Sequence, residues 1–243
     1  MDALAVLSTQ VSNAGHRQPS GARHASPLRV ALVNMPFASS RRPSVQLGLL
    51  QAILSGRGIP AKSIYFNLAF GEFLGWEKYE SLCHARDILL GEWLFARAAF
   101  GADAPDSRPY LEHHVHVLNA LCAELACDNG YLVELRERVI PRFIGDCIER
   151  TDWSGFDVVG FSSIFEQNCA ALALARRLKR DIPRIFVIFG GANFEDEMGL
   201  EYLRALDWID YAVIGEGDDA FPALLECLAH GLPHRFHIAK WIA

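Results

Sequence analysis

The chain has 243 residues, 51% of them apolar and 21% charged, which is enough apolar material for a substantial core in one elaborated domain. Its formal net charge of −6 and pI near 5.8 argue against a nucleic-acid-binding surface. No stretch approaches the roughly 18 consecutive apolar residues of a membrane span, and no secretory pattern opens the chain, so a cytoplasmic protein is expected.

Residues 1–27 mix Ser, Gly, His, Arg and Pro without periodicity and read as a mobile leader. The first strand is predicted over 29–34 and ends in Met35-Pro36-Phe37 and a polar loop. A helix over 44–55 follows, with Ser44 as its N-cap and Gly56 and Gly58 closing it. The second strand is predicted over 62–67. From about 70 to 150 only helical spacing is found, with helices over 77–100, 109–127 and 131–149, the last kinked at Pro141. That is far more than a crossover needs, so these residues read as a helical insertion in which Trp93, Phe95 and Phe100 serve the core.

Alternation then resumes. The third strand, 157–161, breaks into Ser162 and Ser163 and a helix over 166–180. The fourth strand, 184–189, runs into Gly190-Gly191-Ala192-Asn193 and a helix near 195–205. The fifth, 210–214, runs into Gly215-Glu216-Gly217-Asp218 and a helix over 220–230. Residues 232–243 form a tail. The fold class is therefore α/β, a Rossmann-like doubly wound five-stranded parallel sheet in the order 2-1-3-4-5, with the insertion between strands two and three. The domain is expected to span 28–231.

In such sheets ligands sit beyond the carboxyl ends of the strands, where strand order reverses. Glycine pairs there let a backbone approach a ligand, or merely ease a tight turn. Asn193 is placed to cap the following helix. Glu216 suits either a ligand hydroxyl or amide or a helix cap, and Gln167 and Asn168 open a helix. The acidic Glu195, Asp196 and Glu197 suit a helix first turn. The chain has neither GxGxxG after strand one nor GxxxxGK[ST], and it lacks a receiver domain's acidic residues. A flavin mononucleotide loop through Ser39, Ser40 and Ser44 is interrupted by Arg41-Arg42-Pro43. The six cysteines contain no CxxC pair, and no metal site is assigned, His113, His114 and His116 included.

The strand-three loop, Gly190-Gly191-Ala192-Asn193 and Gly215-Glu216-Gly217-Asp218 resemble the cobalamin-binding domain of B12-dependent radical SAM enzymes. Asn34-Met35-Pro36-Phe37-Ala38, Arg42-Pro43-Ser44 and Leu89-Leu90-Gly91-Glu92-Trp93-Leu94-Phe95 resemble the RiPP maturation radical SAM protein 1 family, presumptive peptide C-methyltransferases. The resemblance covers about residues 29–231. It implies cobalamin with its corrin ring over Ser162, Ser163, Phe165, Glu166, Gln167 and Asn168. The nucleotide tail would run between Gly190, Gly191, Ala192, Asn193 and Gly215, Glu216, Gly217, with Pro36, Phe37 and Ser44 flanking the ring. No DxHxxG follows strand one, so the resemblance implies base-off cobalamin without a histidine on cobalt, one of residues 165–168 facing the lower side. The Cys-x3-Cys-x2-Cys of a radical SAM cluster is absent, so no iron–sulfur cluster and no catalysis by this chain alone are expected. It would be a truncated or split piece, partnered by a separate radical SAM core and a ribosomal precursor peptide. The alternatives are a vestigial Rossmann-like module that binds a protein or peptide and a flavodoxin-like flavin carrier.

Overall fold

Four runs, Val30–Asn34 (β2), Val158–Ser162 (β4), Phe186–Gly190 (β5) and Tyr211–Ile214 (β6), are apolar on both alternating faces and almost entirely buried. Only the interior of a sheet covered on both sides accommodates that pattern. In the computed structural model, which describes residues 6–7, 27–231 and 237–240, they are central parallel strands. Ala61–Tyr65 (β3), with only part-buried and exposed positions, lies parallel to β2 on the outside. The order β3-β2-β4-β5-β6 is the predicted 2-1-3-4-5. Beyond β6 the sheet gains a further parallel strand, His237–Lys240 (β7), and an antiparallel pair of residues, Val6–Leu7 (β1). Both fall where a tail and a leader were expected; the rest of those segments lies outside the described residues.

The period-two alternation of the strands divides the core into two. Val30, Leu32, Val158, Ile188 and Val213 face Val45–Gly56 (α1) and Gly217–Ala229 (α11), meeting Leu47, Leu54, Phe221 and Leu225. Ala31, Val33, Val159, Phe161, Val187 and Phe189 face the opposite layer, which contains the insertion and Asn168–Asp181 (α9). Among the described residues no helix is long and apolar enough to cross a membrane.

The insertion is more broken than its spacing predicts. Phe66 and Asn67 leave the second strand to start Phe66–Leu74 (α2). The expected helix over 77–100 divides into Trp76–His84 (α3) and Leu90–Phe100 (α4) around a 3-10 turn, with Leu89 at φ 50°. The helix over 109–127 divides into Ser107–His113 (α5) and Val115–Glu124 (α6). The third consists of Asn129–Glu134 (α7), a π turn over Leu135–Val139, and Ile140–Glu149 (α8). Pro141, near the start of α8, has no N–H to donate back to Glu137, and the wider turn lies just ahead of it. Trp93 and Phe95 are buried in the core, as expected. Asp196–Ala205 (α10) completes the βα alternation between β5 and β6.

Candidate ligand cleft at the strand ends

Strand order reverses between β2 and β4, and there the carboxyl ends of the strands open two adjoining hollows. The larger, about 330 Å³, lies on the α1 and α11 side. Leu32, Gly160, Ile188, Val213, Leu47 and Phe221 give it an apolar lining, and Ser162, Gly190, Gly191, Gly215, Glu216 and Gly217 contribute to it from the strand ends. Gly160 holds it open: a Cβ there would already touch Phe221 Cζ at 3.3 Å and Leu32 Cδ2 at 3.4 Å. The smaller, about 220 Å³, separates the loop after β2 from the loop after β4, and shares Gln46, Ser162 and Ile164 with the first. Together they make one continuous rim.

The loops after β4 and β5 are sewn together. Ser163 N donates to Gly190 O at 2.8 Å, and Asn193 N donates to Ser163 O at 3.2 Å. Asn193 Nδ2 donates to Ser163 Oγ at 3.0 Å and to Ile164 O at 2.7 Å. Asn193 is therefore not the cap of α10; it lies in a 3-10 turn, and Glu195 occupies the cap position. Gly191 has φ +92°, and a Cβ on it would lie 2.7 Å from Ser163 O, so glycine is required both by conformation and by contact. Ala192 is exposed beside it. After β6, Gly215 at φ +84° turns the chain into α11. Glu216, exposed at the N-cap position, makes no capping hydrogen bond, leaving its carboxylate at the rim.

The loop after β4 is anchored from beneath. Phe165 is 52% exposed, while Glu166, Gln167 and Asn168 are buried. Glu166, at φ +64°, accepts Gly91 N at 3.2 Å. Burial raises its carboxyl above the ordinary range; the Gly91 N–H opposes this and the Glu92 charge adds to it. Gln167 Nε2 donates to Asn34 Oδ1 at 3.1 Å and to Met35 O at 2.5 Å. Asn168 accepts Ser163 Oγ at 3.3 Å and donates to the Tyr202 hydroxyl. Gln167 occupies the cap position of α9 without a side-chain capping bond. That duty falls to Glu92, whose Oε1 accepts Asn168 N at 3.0 Å and whose Oε2 accepts Cys169 N at 2.6 Å.

The segment 89–95, which the resemblance marks without a role, is the clamp on the strand-three loop. Gly91 is required because a Cβ would come within 2.7 Å of both Glu166 O and Phe37 Cγ.

The loop after β2 is pinned in the same manner. Pro36 and Phe37 are buried. Phe37, at φ 74°, donates its N–H to the Tyr79 hydroxyl at 3.0 Å, and that hydroxyl donates to Ala38 O at 2.5 Å. Glu80, 5% exposed, accepts Ser40 N at 2.6 Å, Ser40 Oγ at 2.6 Å and Ser39 Oγ at 3.2 Å. Burial acts to raise the Glu80 carboxyl, but the hydrogen bonds from Ser40 and Ser39 outweigh it and the carboxyl is lowered. Ser44 caps α1 by accepting Leu47 N at 3.3 Å. These are the serines on which a flavin-phosphate loop would depend, and each is already engaged.

A corrinoid fits these residues on two counts. The apolar floor with its glycine edge suits a flat heteroaromatic base carried on a phosphoribose. Gln167, which lines the smaller hollow, keeps a buried Oε1 without a partner, an acceptor suited to an amide N–H such as the corrin periphery carries. Among the described residues, neither hollow is lined by histidine.

The family model described as B12 binding domain matches residues 109–225, from within α5 to within α11. No curated protein and no solved structure matches the chain. The matched stretch contains β4, β5 and β6 with the three loops that supply the glycines of the rim. The chain thus carries a B12-binding domain over residues 109–225.

Proposed function

We propose that the chain holds base-off cobalamin, with the nucleotide tail in the 330 Å³ cleft and the corrin beside the loop that follows β4. The observation that carries this is the cleft itself, floored by Gly160 and edged by Gly190, Gly191, Gly215 and Gly217 within the B12-matched stretch. Gly190, Gly191 and Ala192 would line one side of the tail, with Gly215, Glu216 and Gly217 along the other. Asn193 and Ser163 tie the first of these walls to the loop after β4 by their mutual hydrogen bonds. Of residues 165–168, Phe165 alone has an exposed side chain, so it and the loop backbone would meet the lower face of the ring. Bound cobalamin would supply a transferable methyl group.

We further propose that this module serves a B12-dependent radical SAM enzyme that C-methylates a ribosomal precursor peptide. The support is the resemblance of 34–44, which forms the loop after β2, and of 89–95, which anchors the loop after β4. The chain has no Cys-x3-Cys-x2-Cys, so the radical-generating core would be supplied by polypeptide outside these 243 residues.

The test is incubation with hydroxocobalamin, desalting and measurement of retained cobalt, with near one-to-one retention expected. Gly217→Phe serves as the control: a Cβ there meets only Leu50 Cδ2, at 3.8 Å, so the variant should fold and lose cobalt. Trace retention by the parent, or equal retention by both, overturns the assignment. Trace retention would favour the interaction-module reading.

A further inference from the structure

Helix α6 ends in a way that brings two cysteines together. Cys127 N donates to Cys122 O at 2.9 Å, Ala126 N donates to Ala123 O at 3.3 Å, and Ala126 is left-handed at φ 50°. This is the paired 6→1 and 5→2 bonding of a Schellman motif, in which the residue three before the cap contacts the residue two after it. Apolar side chains commonly occupy those two places; here both hold thiols. The motif makes the Cys122 and Cys127 side chains neighbours at one helix end. Cys122 Sγ also approaches Asn129 Oδ1 at 3.5 Å. Cys122 is buried and Cys127 is half-exposed, so one sulfur of the pair can be reached from solvent. Neither lines the hollows at the strand ends.

We propose that Cys122 and Cys127 are a redox dithiol, closing to an intrachain disulfide by exchange with a small-molecule disulfide. The Cys127 thiolate attacks the small disulfide, forming a mixed disulfide and expelling one thiolate. The Cys122 thiolate then attacks Cys127 Sγ and expels the second. The two protons lost by the cysteines end on the two released thiols, and the small disulfide is the species reduced. Burial pushes the Cys122 thiol up to about 11, so its deprotonation makes ring closure the slower step at neutral pH. The 2.9 Å backbone bond from Cys127 N to Cys122 O already holds the two residues together at the helix end, which favours closure. The proposal is independent of the cobalamin reading.

The test treats the folded full-length chain with excess glutathione disulfide and follows intact mass and a tryptic map. No Lys or Arg lies between Pro109 and Leu135, so both cysteines fall in one peptide. The expected product has lost two hydrogen atoms within that peptide, regains them on reduction, and leaves Cys83 and Cys147 as thiols. Cys127→Ser should abolish the bridge. Because Cys122→Ser alters a buried position, Ala126→Gly is the companion variant; it relieves the left-handed strain and should bridge at least as fast as the parent. A persistent glutathione adduct on Cys127, bridging through another cysteine, or no change in mass would each overturn the proposal.

Discussion

Replacing Glu92 by Ala removes the carboxylate that closes the amino end of α9 from a different helix. Two backbone N–H groups, at Asn168 and Cys169, then lose acceptors held at 3.0 and 2.6 Å. Hydrogen bonds to a charged group contribute about 1.5–3 kcal/mol each, and Glu92 is only partly buried, so water recovers some of the loss. The expected destabilisation is about 3 kcal/mol, or a melting-temperature drop of roughly 6–12 °C for a domain of this size. Glu92→Gln keeps one oxygen acceptor and should lose about half as much. Urea unfolding gives the energy, and cobalt retention after desalting reports the consequence at the rim. Retention should fall even well below the unfolding midpoint, because the loop over 162–168 is no longer held from beneath. If Glu92→Ala unfolds within about 0.5 kcal/mol of the parent, α9 is capped by other means and the clamp is wrong.

Other outcomes follow from the same geometry. Gly191→Ala places a Cβ 2.7 Å from Ser163 O at φ +92° and should cost about 2 kcal/mol or more, with reduced cobalt retention. Glu166, whose carboxyl is raised by burial, binds its proton more tightly folded than unfolded, so its ionisation removes stability as pH rises through the folded value. Glu166→Gln, which keeps an oxygen for Gly91 N, should therefore be the more stable protein at neutral pH and lose the advantage in acid; equal unfolding midpoints at both pH values would refute this. Glu80→Ala frees the loop carrying Ser39 and Ser40, so trypsin should cut after Arg41 faster than in the parent; an unchanged cleavage rate would show that Tyr79 alone suffices to hold it.

The sheet was legible because its central strands are short apolar runs ending in glycine or small polar residues, and that signal is local. The strand-end glycines were legible for the same reason. What escaped depended on distance along the chain. Glu92 and Asn168 are 76 residues apart, and Glu80 and Ser40 are 40 apart, so no window of sequence pairs them. Asn193 was expected to cap a helix because Asn before a helix commonly does; it instead binds the neighbouring loop. The break between α3 and α4 was missed because Leu89 adopts left-handed backbone, which leucine does not advertise. The strand over 237–240 is only four residues long and carries no distinguishing alternation.

The first turn of α4 grips the strand-three loop at Glu166, Asn168 and Cys169, whereas α5 and α6 line neither hollow. The insertion therefore holds the rim through α3 and α4: its outer helices α5 and α6 could be lengthened, reshaped or exchanged for recognition of a new partner while the berth keeps its dimensions. A rigid tilt of α4 itself would do the opposite, dragging the lip of that berth through three bonds at once. Tolerance and sensitivity thus divide within a single subdomain, between α4 and α5.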